Sequence, residues 1–265
     1  MGTSYDSYEL GFAAETGWRA IVDPDKSLPE PPIPPFDYVL DMLNMRLEGI
    51  KAECKTDKEP VIYLTEGRTF RFDIAKKKPY KGQRVENKPW HFNNLTVYLR
   101  DVLGAKVITK IEADDALAID HIASNGTTII CSRDKDLRQV PGWLYSWELG
   151  KQPSFGPAEI SKAGSLSLSD DRKKLTGTGL AFFYAQVLMG DTADNIPGLP
   201  GCGPVQAYEA LNGPIELFDI VSDLYRNHYG NDWKTELLEQ GQLCWMTRRL
   251  HPDGSPVLWE LGMED

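Results

Sequence analysis

Short apolar runs alternate with segments of helical spacing through the first two thirds of this 265-residue chain. The runs at 61–64, 105–109, 127–131 and 143–147 have the composition of β-strands. Apolar residues recur at helical spacing at 36–50, 90–103 and 113–124, which predicts helices there. This alternation indicates an α/β fold with a mostly parallel central sheet flanked by helices.

The last third of the chain has a different pattern, in which helices follow one another. Helices are predicted at 180–189, 204–211, 215–225 and 233–245. We therefore expect an α/β core over residues 1–177 and a helical region over residues 178–265. The two form either separate parts or one compact unit, and a chain of this length can bury a full core in both cases.

Acidic residues follow three of the predicted strands at the point where each strand ends. Because the carboxyl ends of parallel strands meet at one edge of a sheet, we expect these acids to converge there. Each group taken singly also fits a plainer interpretation, as helix-start acids or as turn residues. The acids are Glu66 after the first strand, Glu112, Asp114 and Asp115 after the second, and Asp134 and Asp136 after the third.

A further acidic pair, Asp191 and Asp194, would add another wall to such a site. The two are three residues apart, so they would share a face if they lay on a helix. A loop turn is the plainer alternative. Crowded carboxylates repel one another unless a cation lies among them, and oxygen ligands favour Mg²⁺ or Mn²⁺. Two such ions can support phosphodiester cleavage.

A glycine-rich stretch follows this pair directly. Gly198, Gly201 and Gly203 allow tight turns, and Pro204 suits the first turn of a helix. We interpret the stretch as a hairpin between two helices that offers backbone amides and a helix N-terminus to phosphates. The alternative is a plain glycine-rich loop.

The net charge of −10 argues against a polyanionic partner, but one segment, residues 68–88, is strongly basic. That segment also contains the aromatic residue Tyr80, which suits contact with a nucleic-acid backbone and stacking on a base. A solvated basic face is the plainer interpretation. The basic residues are Arg68, Arg71, Lys76, Lys77, Lys78, Lys81, Arg84 and Lys88.

Other classes of protein are disfavoured by the sequence. It contains no apolar run long enough to span a membrane and no visible secretory signal, so we expect a cytoplasmic protein without a membrane partner. The four cysteines are widely scattered, which disfavours a zinc site or a disulfide framework.

Four segments together resemble the 5′-nuclease family, which includes flap endonucleases and the 5′-nuclease domain of bacterial DNA polymerase I. The bacteriophage 5′–3′ exonucleases are the most similar members. The segments are Tyr80-Lys81-Gly82-Gln83-Arg84, Glu112-Ala113-Asp114-Asp115, Ser132-Arg133-Asp134-Lys135-Asp136 and residues 190–198, in the family's order. The chain resembles this family from about residue 61 to residue 211.

The resemblance implies a PIN-like fold and Mg²⁺- or Mn²⁺-dependent hydrolysis of DNA that carries a 5′ end, a 5′ overhang or a 5′ flap. It implies a monomer with a helix–three-turn–helix around residues 198–203 that grips duplex DNA, often with a potassium ion. It also implies that residues 68–88 form an arch for a 5′ single strand. The implied catalytic residues are Lys81, Arg84, Glu112, Asp114 and Asp134, and the implied metal ligands are Glu66, Glu112, Asp114, Asp115, Asp134, Asp136, Asp191 and Asp194.

The sequence departs from the family pattern in two places. Glu66 stands where the family usually has Asp. The family also opens with an apolar strand that ends in Asp, whereas here Asp6 is nearby but out of register. Two alternatives to a nuclease of DNA therefore stay open. One is a protein of the same fold that binds DNA structures without cutting them, and the other is a PIN-type ribonuclease.

Overall fold

The computed structural model describes residues 33–84, 88–150, 152–213 and 216–264. Asp6, the residue nearest to the position of the family's first Asp, lies outside these residues. The described chain begins with helix α1 (Phe36–Glu53), strand β1 (Tyr63–Thr69) and the short helix α2 (Arg71–Ile74). Helix α3 (Phe92–Asp101), strand β2 (Lys106–Lys110) and helix α4 (Ala113–Ala123) follow.

Strands β1 and β2 pair in parallel, with Tyr63 opposite Lys106 and Thr65 opposite Ile108. Strand β3 (Ile129–Cys131) pairs in parallel with β4 (Gly142–Ser146), which pairs antiparallel with β5 (Phe155–Ile160). A 3₁₀ helix, Lys135–Gln139, lies between β3 and β4. The α/β class is thereby confirmed, although the described strands form separate small sheets.

An antiparallel hairpin, which the sequence pattern did not predict, joins the two parts of the chain. It consists of β6 (Ser165–Leu168) and β7 (Leu175–Thr178). The remaining helices are α5 (Gly179–Met189), α6 (Pro204–Leu211), α7 (Leu217–Tyr229) and α8 (Trp233–Cys244). None of the helices in the described part of the chain is long and apolar enough to cross a membrane.

Helix α5 lies at the centre of the C-terminal half. Its side chains from Leu180 to Leu188 are buried, and Phe183 packs edge-on against Trp245. The cluster around α5 includes Tyr80 from the first half of the chain. Met246 of the second half packs in another cluster with Ile111 and Leu144. Side chains from both halves of the chain therefore share hydrophobic clusters, which fixes the acidic residues of the two halves relative to each other.

Candidate active site

Two adjoining cavities lie between α4, the 3₁₀ helix Lys135–Gln139 and the loop after α5. The inner cavity is narrow, about 10 Å³, which is room for a single water or ion. The outer cavity is open and holds about 170 Å³. Both are lined by Asp134, Asp136, Asp191 and Asp194, and the inner cavity also by Glu112 and Asp114. The structure thus brings together six of the eight predicted metal ligands.

Glu112 caps the N-terminus of helix α4 and is buried. Its carboxylate accepts hydrogen bonds from the Tyr80 hydroxyl at 3.0 Å and the Lys81 ammonium at 2.5 Å. Burial raises the pKa of Glu112, but the charges of Arg71 and Lys81 outweigh it, so this pKa lies below its ordinary value. Glu112 is therefore an ionised carboxylate at the floor of the cavity.

Asp134 and Asp136 follow strand β3 directly and start the 3₁₀ helix. The Asp134 carboxylate accepts the backbone N–H of Asp136 at 2.8 Å, which orients the Asp134 side chain. Gln186 on α5 donates to the Asp136 carboxylate. Burial and the neighbouring charges of Asp136 and Asp114 raise the pKa of Asp134 well above its ordinary value. A cation bound between these three carboxylates would relieve their mutual repulsion.

Asp191 and Asp194 lie in a turn rather than on a helix. Asp191 and Ile196 exchange backbone hydrogen bonds of 2.9 and 2.8 Å, which close the loop. The Asp191 carboxylate accepts the N–H of Ala193 at 2.7 Å. Asp194 accepts the Tyr80 hydroxyl at 2.8 Å and the Arg84 guanidinium at 2.7 Å. The turn, instead of a helical face, aims both carboxylates at the cavity.

Lys135 joins the two acidic pairs. Its ammonium lies 2.6 Å from the Asp136 carboxylate and also ion-pairs with Asp191. Burial lowers the pKa of Lys135, but the charges of Asp136 and Asp191 outweigh it and raise the pKa strongly. The sequence pattern did not single out Lys135, although its place between two acids in Asp134-Lys135-Asp136 was the available signal.

The charges at this site favour a divalent cation. Counted as fully ionised, seven acids (the six that line the cavities and Asp115) face five basic side chains, which leaves two formal negative charges in excess among the described residues. All candidate ligand atoms are oxygens, as Mg²⁺ or Mn²⁺ prefers. No three described acids, histidines or cysteines form a ready-made metal cluster. The basic side chains at the cavities are Arg71, Lys81, Arg84, Arg133 and Lys135.

Two predicted metal ligands do not line the cavities. Glu66 lies in an irregularity of β1, where the register with β2 shifts between Thr65 and Thr69, and its side chain is exposed. Strand β1 also continues to Thr69, so Glu66 does not stand at its end. Asp115 is fully buried, and its carboxylate binds Arg71 and the backbone N–H groups of Glu112 and Thr247. The structure therefore does not place Glu66 and Asp115 with the other six acids at the cavities, and it gives no support to their prediction as metal ligands.

Arg71 and Tyr80 were predicted to bind DNA, and the structure places both inside the protein. Arg71 donates to Asp115, Glu112 and the carbonyls of Leu243 and Trp245, which uses all of its five N–H donors. The Tyr80 ring is buried edge-on against Phe72. Neither side chain is available to a phosphate or a base, so these two predictions are corrected.

The described part of the predicted arch, residues 68–84, packs on the body of the protein. The backbone N–H groups of Lys76 and Lys77 donate to Glu239 on α8, both at 2.9 Å. The Lys77 ammonium ion-pairs with Glu236. This segment is therefore held against α8. Residues 85–87 lie outside the described chain. The exposed basic residues of the segment are Arg68, Lys76, Lys77, Lys78 and Arg84, whose DNA binding stays a prediction.

The glycines of the helix–loop–helix differ in their surroundings. Gly198 has a φ of +66° and is buried against Gly190, and its N–H donates to Gln240 at 3.0 Å. It cannot also bind a phosphate, which corrects that prediction. Gly203 caps helix α6 and Gly201 is exposed with open space around it. DNA binding by Gly201 and Gly203 stays a prediction.

The chain is similar in sequence to known 5′-nucleases. Flap endonuclease Xni of Shewanella halifaxensis is 27% identical over 161 residues, which make up 59% of this chain and 58% of that protein. A 5′–3′ exonuclease of Mycobacterium tuberculosis is 29% identical over 138 residues, 48% of this chain and 41% of that protein. The chain thus spans about half the length of these curated relatives. They confirm the resemblance to 5′-nucleases that the four sequence motifs predict.

Among solved structures, a T5 5′-exonuclease with bound zinc ions matches 90% of this chain and 87% of its own, at 16% identity and a TM-score of 0.49. No profile of a known protein family matches the chain.

Proposed function

We propose that this chain is a divalent-metal-dependent 5′-nuclease that hydrolyses DNA phosphodiester bonds at 5′ ends, 5′ overhangs or 5′-flap junctions. The observation that carries the proposal is the convergence of six carboxylates on two adjoining cavities, together with Lys81 and Arg84. Three separate stretches of chain contribute these acids. A network of salt bridges that only stabilised the fold would not require so many acids at one place. The similarity to a flap endonuclease and to a 5′–3′ exonuclease supports the same reaction.

The donor set favours Mg²⁺ or Mn²⁺, because every candidate ligand is a carboxylate oxygen. When bound, such ions activate an attacking water and stabilise the leaving oxygen. The residues that would hold one ion are Glu112, Asp114, Asp134 and Asp136, and those that would hold a second are Asp191 and Asp194.

Lys81 and Arg84 are the side chains that would bind and stabilise the scissile phosphate. Burial lowers the pKa of Lys81, but Glu112 and Asp194 outweigh it and raise the pKa, so the side chain stays an ammonium. It lies against Glu112, while Arg84 lies against Asp194 at the outer cavity. A phosphate that enters the cavity meets both charges, which then stabilise the negative charge that grows in the transition state.

The helix–loop–helix of α5 and α6 is the proposed contact to duplex DNA. Gly201 is exposed, and Gly203, which is partly exposed, caps the N-terminus of α6. Phosphate contacts of this kind position the duplex without reading its sequence. Binding of a potassium ion at this loop remains a prediction.

The proposal is tested by incubating the full chain with a 5′-flap duplex and Mg²⁺ or Mn²⁺, with EDTA as the blank. We expect metal-dependent products cut at the flap junction. Asp134→Asn should abolish them, whereas Asp170→Asn, which changes an exposed acid of the β6–β7 turn, should not.

The same assay separates the alternatives. Tight binding of the flap duplex without any product would show a DNA-structure binder instead. Faster cutting of an RNA strand than of a DNA strand with the same sequence would show a ribonuclease. Either result would overturn the proposed activity.

A further inference from the structure

Two cysteines that are distant in sequence contact each other at the end of β3, the strand that precedes Asp134 and Asp136 of the candidate active site. Cys54 directly follows helix α1, and Cys131 is the last residue of strand β3. Their sulfur atoms lie 3.6 Å apart, in van der Waals and hydrogen-bond contact, and neither cysteine forms a disulfide. No part of the proposed nuclease chemistry uses either of them.

The pair is accessible from one side. Cys131 is buried, whereas Cys54 is partly exposed. Cys54 lines a surface groove of about 560 Å³ together with Lys55, Lys58 and the exposed Trp143. A small molecule can therefore reach the Cys54 sulfur, and Cys131 is the nearest partner for that sulfur once it has reacted.

The other two cysteines differ from this pair. Burial raises the pKa of the thiols of Cys202 and Cys244. The hydrogen bond with Cys131 lowers the pKa of the Cys54 thiol, which increases its thiolate fraction. The thiolate is the form that reacts with oxidants. Cys54 combines a partly exposed sulfur with a lowered thiol pKa, whereas neither Cys202 nor Cys244 has both properties.

We propose that Cys54 and Cys131 form an oxidation site, which closes to an intramolecular disulfide when the protein meets hydrogen peroxide. The Cys54 thiolate attacks one peroxide oxygen, the O–O bond breaks, and hydroxide leaves, so Cys54 becomes a sulfenic acid. The Cys131 sulfur then attacks the Cys54 sulfur and the S–O bond breaks. The hydroxyl leaves as water with the proton of the Cys131 thiol. Two thiols and one peroxide thus give one disulfide and two waters, and the peroxide takes up the two electrons.

The disulfide would tie the end of α1 to the strand that carries the candidate active site. Cys131 is followed by Ser132, whose N–H donates to Tyr145 at 3.0 Å and whose hydroxyl accepts the N–H of Asp134 at 3.1 Å. A crosslink at Cys131 therefore restrains the base of this acidic loop. It also closes a long loop of the unfolded chain, which favours the folded state.

The experiment treats the reduced full chain with a few equivalents of hydrogen peroxide, followed by intact mass measurement and peptide mapping. We expect a loss of two hydrogen atoms from a monomer, one crosslinked peptide pair that contains Cys54 and Cys131, and reversal by dithiothreitol. The denaturant midpoint of unfolding should rise on oxidation. Cys54→Ser should remove all of these effects, and Cys202→Ser, the matched control at another partly exposed cysteine, should keep them.

Three results would overturn the proposal. They are a disulfide that forms between two chains, a crosslink that involves Cys202 or Cys244, and oxygen added at Cys54 with no crosslink. None of these depends on nuclease activity, so the oxidation site stands or fails independently of the proposed function.

Discussion

The guanidinium of Arg71 binds both carboxylate oxygens of Asp115, at 2.7 and 2.8 Å, in a place where neither side chain reaches solvent. Arg71 lies on α2, and Asp115 lies in the first turn of α4. The same guanidinium also donates to Glu112 and to the carbonyls of Leu243 and Trp245 at the end of α8. One buried ion pair therefore connects the floor of the acidic cavity to the C-terminal helices.

Removal of Arg71 should destabilise the protein strongly. Arg71→Ala leaves the Asp115 carboxylate buried without its cation, and breaking such a pair costs about 3–5 kcal/mol. Urea denaturation of the variant should show a loss of this size. Arg68→Ala is the matched control, because Arg68 forms an exposed pair with Asp73, and it should change stability by less than about 1 kcal/mol. Equal effects of the two variants would contradict the structural role of Arg71.

Lys135 should weaken divalent-cation binding, because its ammonium pairs with Asp136 and Asp191. Lys135→Met removes one positive charge from the cavity, so the affinity for Mn²⁺ should rise about tenfold or more, equal to about 1.4 kcal/mol. Isothermal titration calorimetry without DNA measures this affinity. Lys78→Met, which changes an exposed lysine, should leave the affinity unchanged. An unchanged affinity for Lys135→Met would show that the ammonium does not compete with the ion.

Lys81 should act on the chemical step more than on binding. Its ammonium contacts Glu112 at the inner cavity, not the outer surface. Lys81→Ala should therefore slow single-turnover cleavage by about 10²–10³-fold and change duplex affinity, measured by fluorescence anisotropy, much less. Lys58→Ala, at an exposed lysine of the loop between α1 and β1 that is not among the predicted DNA-binding residues, is the control and should change neither quantity. Equal losses of rate and affinity would make Lys81 a simple phosphate anchor.

Gly198 should be required for folding and not for direct contact with DNA. A Cβ there would collide with the backbone of Gly190 and Met189, and the φ of +66° already disfavours a side chain. Gly198→Ala should therefore cost on the order of 3–5 kcal/mol in urea denaturation. Gly201→Ala has a similar φ of +79° but open space, so it should cost only about 1–2 kcal/mol. Comparable losses would show that the loop adjusts.

His121 should make stability pH-dependent. Burial lowers its pKa below the ordinary value, although a backbone hydrogen bond to Pro141 offsets this in part. A depressed pKa means that the unfolded state binds the proton first as the pH falls. The contribution is fully present above the ordinary pKa of about 6.5 and is lost as the pH falls through the folded-state value.

Urea denaturation across about pH 5–8 measures this dependence. His121→Gln keeps a polar partner for Thr128, which lies 2.8 Å from the His121 ring nitrogen. This variant should flatten the stability profile over that range. A slope that persists in His121→Gln would assign the dependence to other groups.

Much of the secondary structure could be predicted from the sequence. The helix predicted at 204–211 matches α6 at both ends, because Pro204 favours the first helical turn and Gly203 precedes it. The predicted helix at 180–189 matches α5 within one residue. The hairpin of β6 and β7 was missed, because its polar and small residues carry a weak strand signal and only their pairing stabilises it.

The sequence by itself determined which residues bring acidic chemistry to this protein, because motif spacing, capping and turn preferences act over a few residues. The tertiary structure alone decided which acids face the cavity. A register shift in β1 places Glu66 at the surface. Arg71, 44 positions before Asp115 in the chain, binds the Asp115 carboxylate in the core and keeps it away from the cavity. Such assignments depend on pairing and burial between distant segments, and a local pattern of residues carries no information about either.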